Sequence, residues 1–336
     1  GFDVRLTIDS ALQQVAAEGL GDRRGAVVAI DPRTGEVLAM VSVPSFDPSS
    51  FSEDGDDIAA DERFPLLNRA AQGLYPPGST FKTVTAIAAL EHRVIEPGTE
   101  VTCPGEIVVD GFPISCSNVS QGVGTYPFSD AFAFSVNAIF AQVGLEVGWG
   151  RLLETAGRLG FGTSVDFTLE TAETQLLPLG TESTDVLLAT TAFGQGQLLA
   201  TPLQMALVAA AVGNDGVLMR PHLGLDAYDG ERRVGPVEGE SSGRVMPEGV
   251  ARAVQSMMVE VIANGQANGV AISGVAVAGK TGTAETGSGT SHAWFIGFAP
   301  ADDPVVAVAV VVENGGQGGV VASPIAGAVI RAALAD

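Results

Sequence analysis

A serine and a lysine stand three residues apart at the start of a long apolar stretch. Ser79 and Lys82 follow a Tyr-Pro-Pro-Gly turn at residues 75–78, and an alanine-rich sequence continues to Leu90. The turn residues interrupt regular structure and the apolar run favours a helix, so we predict a largely buried helix that begins near Ser79. Residues three apart share one face of a helix. The pattern therefore places a hydroxyl beside an amine at a helix N-terminus, where backbone N–H groups stabilise a developing oxyanion.

The scarcity of lysine in the chain also singles out Lys82. The chain has 17 lysines and arginines together, and only Lys82 and Lys280 are lysines. A lysine can lose its proton when burial or a neighbouring cation lowers its pKa, whereas an arginine cannot. A compositional bias against lysine accounts for the scarcity but not for where these two lie. We interpret both as candidates for a titratable amine.

Two further polar groups of residues accompany the first. Ser135 and Asn137 lie in an apolar stretch that we predict to be helical. Alone, such a pair would be a helix kink or a buried hydrogen-bonded pair. The residues 280–283, Lys-Thr-Gly-Thr, end an apolar stretch that we predict to be a strand. Each group alone is a weak signal, but their order along one chain is specific.

The ordered set Ser-x-x-Lys, Ser-x-Asn and Lys-Thr-Gly resembles the motifs of penicillin-binding transpeptidases. More narrowly, the chain is similar to class B (monofunctional) D,D-transpeptidases of actinobacterial type, over essentially its whole length. Val136 occupies a position that commonly varies in class B enzymes. The supporting segments are residues 6–13, 25–35, 68–70, 193–196, 201–204 and 292–295.

The resemblance implies a role for each residue of the first two motifs. Ser79 would be the nucleophile that attacks the carbonyl between the two terminal D-alanines of a peptidoglycan stem peptide and forms an acyl-enzyme. Lys82 in its neutral form would be the base, with its pKa lowered by burial and by Lys280. Ser135 would relay the proton to the leaving amine, and Asn137 would hold the backbone amide of the substrate.

The third motif is expected to bind the substrate. Thr281 and Thr283 offer hydroxyl groups to its terminal carboxylate, and Lys280 adds positive potential. The N–H groups of Ser79 and Thr283 would form the oxyanion hole. Gly282 would let the acyl chain lie along the strand as an added β-strand. A second stem peptide would accept the acyl group, β-lactams would trap the serine, and neither a metal ion nor a cofactor is expected.

The order of elements predicts an α/β (α+β) fold of the kind shared by penicillin-binding proteins and serine β-lactamases, with a central antiparallel sheet flanked by helices and an all-helical subdomain. We expect one transpeptidase domain over residues 1–336. Its sheet subdomain would span roughly residues 1–66 and 266–336, and its helical subdomain roughly residues 67–265. Residues 44–66 are expected to form a surface loop. The expected sheet strands are 24–30, 36–43, 274–283, 292–300 and 305–313, and the closing helix is 324–335.

Composition sets limits on the partners. With 336 residues, of which 46% are hydrophobic and 17% charged, the chain should build a substantial core. Its net charge of −22 argues against nucleic acid as a partner, because a phosphate backbone needs a basic surface.

Cys103 and Cys116 flank a predicted hairpin with its turn at Asp110 and Gly111. A disulfide and two free thiols both fit this spacing, and no histidine lies close enough to suggest zinc.

The resemblance also implies a location. The catalytic domain would lie on the extracytoplasmic face of the bacterial cell membrane, held by an N-terminal helix and a pedestal domain that this chain does not contain. A membrane glycosyltransferase is the expected protein partner, contacted through that N-terminal region. No stretch of the chain approaches the roughly 20 apolar residues of a membrane span. The motifs do not separate a role in elongation from one in division.

Two other functional classes fit the sequence less well. Residues 274–281 fit the pattern of a nucleotide-binding P-loop, but such a loop must lie between a strand and a helix, and residues 284–290 are poor helix formers. A Ser-His-Asp hydrolase is disfavoured because His92, His222 and His292 show no arrangement that suits a base.

Three other functions that use the same acyl-enzyme chemistry fit these motifs. A class A β-lactamase holds its deacylating water with a glutamate. Glu170 and Glu173 lie in the corresponding region, without the surrounding pattern of those enzymes. A penicillin-sensing domain would stay acylated without turning over peptide. A D,D-carboxypeptidase would differ only in using water as the acceptor.

Overall fold

A five-stranded antiparallel sheet lies at the centre of the structure, a computed structural model that describes residues 1–116, 123–178, 180–235, 239–264, 267–287 and 289–335. The strands are β1 (Asp3–Leu6), β2 (Gly25–Ile30), β3 (Val37–Val43), β4 (Glu100–Cys103), β5 (Glu106–Val109), β6 (Phe112–Ser115), β7 (Gly124–Pro127), β8 (Val217–Met219), β9 (Gly224–Asp229), β10 (Arg232–Val234), β11 (Ser241–Arg244), β12 (Ala278–Ala284), β13 (His292–Ala299) and β14 (Val306–Val312). The helices are α1 (Ser10–Leu20), α2 (Phe51–Ala60), α3 (Lys82–Glu91), α4 (Phe128–Ala133), α5 (Asn137–Arg158), α6 (Asp185–Ala192), α7 (Pro202–Gly213), α8 (Glu248–Asn264) and α9 (Gly318–Ala333). Short 3₁₀ helices cover Gly78–Phe81 and Asn268–Val270.

The central sheet has the strand order β12-β13-β14-β2-β3. Its middle strands β14 and β2 are buried along their whole length, which explains why they are near-continuous runs of valine, alanine and isoleucine. Helices α1 and α9 pack together and cover one part of the sheet, while α7 packs on β2, β13 and β14, and α8 packs on β12. The expected α/β fold with a central antiparallel sheet is confirmed.

Residues 67–265, here called the inserted region, contain helices α3 to α8. Helix α5 packs against α3 and α6, and α3 also contacts α8. This region additionally contains strands β4 to β11, which form short two-stranded pairs or, through β9, pair with β1. It is therefore not all-helical as expected, since it includes the predicted cysteine hairpin and further short strands. The subdomain boundaries stay a prediction, and residues 265, 266 and 336 lie outside the described part of the chain.

Two expected elements differ in the structure. Residues 51–60 of the expected loop form helix α2, none of whose residues is buried, so it lacks the apolar stripe that marks a packed helix. Glu53 and Asp54 in its first turn interact favourably with the helix dipole. The closing helix begins at Gly318 rather than Pro324, and the proline is accommodated within the helix.

The cysteine hairpin has the expected turn. Strands β5 and β6 pair, and Asp110 and Gly111 between them have φ of 46° and 83°, as a two-residue hairpin turn requires. Cys103 and Cys116 are joined by a disulfide, with their Cα atoms 6.2 Å apart. Of the two states that the sequence left open, the structure has the oxidised one.

Two features bear on the functional class. Lys280 and Thr281 lie inside strand β12, which leads into β13 and not into a helix, so the P-loop interpretation is wrong. Within the described residues, no helix combines the length and hydrophobicity needed to span a bilayer.

Candidate active site

Ser79 lies in the 3₁₀ turn that leads into helix α3. The turn covers Gly78–Phe81, and α3 begins at Lys82, three residues after the serine. A 3₁₀ helix has 3.0 residues per turn, so residues i and i+3 lie in line. The expected helix near Ser79 is confirmed in this tighter form, and it places Ser79 and Lys82 on one face. Ser79 is half-buried, whereas the Lys82 side chain is completely buried.

The Lys82 amine is surrounded by oxygen atoms of the second motif. Its Nζ lies 2.7 Å from Asn137 Oδ1, 2.6 Å from the carbonyl oxygen of Ser135 and 3.1 Å from Ser135 Oγ. No carboxylate of the described residues forms an ion pair with it. Burial, and then the nearby charge of Lys280, lowers the pKa of Lys82 well below its ordinary 10.5. The site thus favours the neutral amine.

Ser135 lies in a left-handed turn and not inside a helix as expected. Helix α4 ends at Ala133, and Ser135 has a φ of 64°. Its N–H donates to the carbonyl of Phe132, and the N–H of Val136 donates to that of Ala131, which together make a Schellman motif. Glycine usually occupies this position, so a serine there marks a place where a side chain is needed at the expense of backbone strain.

Lys280 approaches the same hydroxyl from strand β12. Its fully buried Nζ lies 3.0 Å from Ser135 Oγ and 3.3 Å from the carbonyl oxygen of Thr281. Burial lowers the pKa of Lys280 to about 7. Ser135 Oγ is therefore within hydrogen-bonding distance of both amines. Phenylalanine rings flank them, with Phe140 at 5.5 Å from Lys82 Nζ and Phe132 at 5.6 Å from Lys280 Nζ.

Glycines bring β12 and the Ser79 turn into close contact. A Cβ on Gly282 would lie 2.9 Å from the carbonyl oxygen of Pro77, and one on Gly78 would lie 3.0 Å from that of Thr283. A Cβ on Gly194 would lie 1.8 Å from the Gly78 carbonyl oxygen. The Gly78 N–H also donates to the carbonyl of Gly194 at 2.9 Å. Any side chain at these positions would push the serine turn and its neighbours apart.

The substrate-binding candidates lie on this same strand. Thr281 is buried and Thr283 is exposed, with Gly282 between them. Thr283 lies next to the serine turn, since its carbonyl oxygen is the atom nearest to a Cβ built on Gly78. The structure therefore brings the strand of the third motif beside Ser79, and the amine of Lys280 beside the second motif.

The residues of the alternative mechanisms lie apart from this cluster. Glu170 and Glu173 are exposed, and Glu173 lines a separate cavity of about 560 Å³ with Phe161 and Pro178. In the described hydrogen bonds, neither carboxylate contacts Lys82 or Lys280. His292 accepts a hydrogen bond from the N–H of Asn314 and packs against Tyr75, which is a structural role.

Three residues that are linked to the segment before Ser79 could not be connected from the sequence alone. Tyr75 and Arg69 both donate to Glu313, which follows strand β14. Arg69 is a charged residue directly before two alanines, but its partner Glu313 is 244 residues away, which no local pattern reveals.

Comparison with known proteins agrees with this geometry. The family model for the penicillin binding protein transpeptidase domain matches residues 25–331. The chain is 38% identical to the peptidoglycan D,D-transpeptidase PbpA of Mycolicibacterium smegmatis, in an alignment that covers 100% of this chain and 73% of the relative. The chain belongs to the penicillin-binding protein transpeptidase family. It is also 33% identical to the peptidoglycan D,D-transpeptidase MrdA of Escherichia coli, over 95% of this chain and 56% of that protein.

Solved structures of the family have the same fold. The D,D-transpeptidase domain of a peptidoglycan glycosyltransferase from Eggerthella lenta matches with a TM-score of 0.94 and 35% identity, over 100% of this chain and 83% of that one. Penicillin-binding protein A of Mycobacterium tuberculosis, as a ceftriaxone acyl-enzyme, matches with a TM-score of 0.92 and 34% identity, over 99% and 80% of the two chains. The same protein has been solved as a penicillin G acyl-enzyme, with a TM-score of 0.89.

Proposed function

We propose that this chain is a peptidoglycan D,D-transpeptidase in which Ser79 forms an acyl-enzyme with the stem peptide. The observation that carries the proposal is the position of Ser135 Oγ, 3.1 Å from the Lys82 amine and 3.0 Å from the Lys280 amine, with Lys82 one turn from Ser79. Relatives that match the whole chain are peptidoglycan D,D-transpeptidases, and one of them has been solved with β-lactams attached as acyl-enzymes.

Acylation begins with proton transfer from Ser79 to Lys82. The neutral Lys82 amine takes the hydroxyl proton while Ser79 Oγ attacks the carbonyl carbon between the two terminal D-alanines. The N–H groups of Ser79 and Thr283 stabilise the negative charge that develops on the carbonyl oxygen. The C–N bond then breaks, and the proton passes from Lys82 through the Ser135 hydroxyl to the departing D-alanine amine. Lys82 is neutral again at the end of the step.

Lys82 and Lys280 take different charge states because both amines lie close to the same hydroxyl, Ser135 Oγ. Two buried cations that both reach Ser135 Oγ repel each other, and among the described residues no carboxylate offsets that repulsion, so one amine gives up its proton. The substrate carboxylate, bound by Thr281, Thr283 and Lys280, favours the charged form of Lys280. That assignment leaves the lone pair on Lys82. Asn137, whose Oδ1 accepts from Lys82, orients the amine and presents its own amide to the substrate backbone.

The second half of the reaction transfers the acyl group. The amine of a second stem peptide attacks the ester carbonyl, Ser79 leaves, and a peptide cross-link forms. A β-lactam mimics the substrate but leaves the acyl group attached to Ser79. The exposure of Glu170 and Glu173, away from Lys82, supports slow hydrolysis and hence a transpeptidase over a β-lactamase.

We further propose that the enzyme acts on the extracytoplasmic face of the membrane beside a membrane glycosyltransferase. The disulfide between Cys103 and Cys116 suits an oxidising compartment. A solved structure described as structural coordination of polymerization and crosslinking by a peptidoglycan synthase complex matches 99% of this chain with a TM-score of 0.86 and 34% identity. This chain spans 63% of that one, so the contacts with such a partner belong to the same proposal.

The lifetime of the acyl-enzyme tests the proposed reaction. Incubation with benzylpenicillin is expected to add one penicillin mass to Ser79, and the adduct is expected to persist for hours in water. With purified donor and acceptor stem peptides, the mass spectrum should show a cross-linked dimer with loss of D-alanine. Ser79→Ala is the control and should remain unmodified. Loss of the adduct within seconds with β-lactam turnover would instead indicate a β-lactamase.

Replacement of Lys82 by arginine separates charge from basicity. Lys82→Arg keeps a cation at this position but cannot accept the serine proton, so labelling by a fluorescent penicillin should fall by about 10²–10⁴-fold. Thermal unfolding of the variant provides the control for folding. Labelling at the wild-type rate in a folded Lys82→Arg protein contradicts the role of Lys82 as base.

The two amines also predict a bell-shaped pH profile for acylation by benzylpenicillin, which carries a carboxylate. As the pH falls through the lowered pKa of Lys82, the base gains a proton and the second-order rate constant decreases. As the pH rises above about 7, Lys280 loses its charge and attracts the carboxylate less. In Lys280→Arg the cation persists, so the alkaline decrease should disappear even if the maximum is lower. An unchanged alkaline limb in that variant argues against this assignment.

A further inference from the structure

The chain segment that leads into Ser79 is fixed at successive points by other elements. Tyr75 exchanges both backbone hydrogen bonds with Ala200, at 3.0 and 2.9 Å. The indole N–H of Trp294 donates to the carbonyl of Pro76 at 3.0 Å. The Gly78 N–H donates to the carbonyl of Gly194, as described above. The distance between Ser79 and strand β12 therefore depends on the contacts that fix residues 75–78.

The Tyr75 side chain adds an anchor that backbone contacts do not provide. Its hydroxyl donates to Glu313 Oε1 at 2.8 Å, and its ring packs edge-on against Trp294, with centroids 6.2 Å apart. Tyr75 is only 7% exposed. Burial and the adjacent carboxylate of Glu313 raise its pKa well above the ordinary value, so the phenol keeps the proton that it donates. Glu313, which follows strand β14, and Trp294 of strand β13 thus both contact the residue four positions before Ser79.

Glu313 is itself held rigidly by two guanidinium groups. Its Oε1 also accepts from Arg69 Nε at 2.7 Å, and its Oε2 lies 3.0 Å from Arg24 Nε. The Arg69 side chain is completely buried, and its other N–H groups donate to the carbonyls of Arg63 and Phe64 at 2.7 and 3.0 Å. Arg69 and Glu313, with side chains 0% and 11% exposed, form the inner part of this network, and Arg24, 43% exposed, lies at its outer side. Hydrogen bonds in a low-dielectric interior restrict the arrangement of the groups that they join. Replacing a buried ion pair by apolar residues of similar volume is often neutral or stabilising, so stability alone does not account for this network.

We propose that Tyr75 and Glu313 are positioning residues for acylation, because their hydrogen bond sets the distance between the Ser79 turn and strand β12. The inference rests on the proposed role of Ser79 as nucleophile. Neither side chain has a hydrogen bond to Ser79, Lys82 or Ser135 in the described part of the chain, so neither takes part in proton transfer.

The close fit of the cleft makes this distance critical. Gly282 has no room for a Cβ against the Pro77 carbonyl, so the serine turn and β12 are already at their closest approach. A displacement of about 1 Å in an active site costs on the order of 10²-fold in rate. Loss of the hydrogen bond between the Tyr75 hydroxyl and Glu313 would allow the Pro76–Pro77 segment to shift, and Ser79 would shift with it. Substrate is bound mainly by β12, so its affinity should change little.

The test compares two buried tyrosines. Tyr75→Phe removes one hydroxyl and keeps the ring, and Tyr126→Phe is the matched control, since Tyr126 is 8% exposed and its hydroxyl has no hydrogen-bond partner among the described residues. Stopped-flow acylation by a fluorescent penicillin separates the first-order acylation constant from the dissociation constant of the preceding complex. Tyr75→Phe should lower the acylation constant about tenfold and change the dissociation constant by less than twofold. Tyr126→Phe should leave both unchanged.

A double-mutant cycle identifies the bond responsible. Glu313→Gln should also slow acylation, and the double variant with Tyr75→Phe should lose less than the product of the two single losses. If Tyr75→Phe does not fold, Glu313→Gln alone is compared with Tyr126→Phe by the same measurement. A Tyr75→Phe protein that acylates at the wild-type rate, or losses that simply multiply, overturns the inference. Absence of any adduct on Ser79 in the wild-type protein would refute the proposed function instead.

Discussion

The structure depends on one hydroxyl group held between two buried amines. Ser135 Oγ lies 3.1 Å from Lys82 Nζ and 3.0 Å from Lys280 Nζ, in a site where burial already disfavours charge. Two ammonium groups so placed repel each other, and in the described structure no acid lies within ion-pairing distance of either. Burial and this repulsion both favour the neutral form of one amine, and a neutral lysine is a base. The charges of the site and its chemistry follow from this constraint.

The fold brings three segments that are distant in the sequence together at this site. The 3₁₀ turn carries Ser79 and Lys82, the left-handed turn after α4 carries Ser135, and β12 carries Lys280. Close approach of these segments requires glycine at Gly78, Gly194 and Gly282. Their rigidity comes from the sheet, whose buried central strands cannot move without disturbing the whole core.

The reactive residues could be predicted from the sequence because their types are rare and their chemistry is specific. Lys82 and Lys280 are the only lysines of the chain, and the spacing of Ser79 from Lys82 fits one turn of helix. The conformation of Ser135 could not be predicted, because an apolar stretch favours helix and nothing local distinguishes a serine that replaces the usual glycine of a Schellman motif. Tyr75 and Glu313 are 238 positions apart, so only the tertiary structure shows that they meet. Helix α2 and the short strands of the inserted region lack the buried periodic face on which sequence interpretation relies.

The charge state of Lys82 is the central claim, and the lysine content of the chain allows a direct measurement. Labelling with ¹⁵N,¹³C-lysine should give the side-chain NMR signals of only two residues, and Lys280→Arg assigns them. In the wild-type protein we expect the Lys82 signal to report a neutral amine at pH 7 and to titrate at a lower pH than that of Lys280. A Lys82 signal that reports an ammonium group at pH 7 and titrates near the ordinary pKa of about 10.4 would contradict the account.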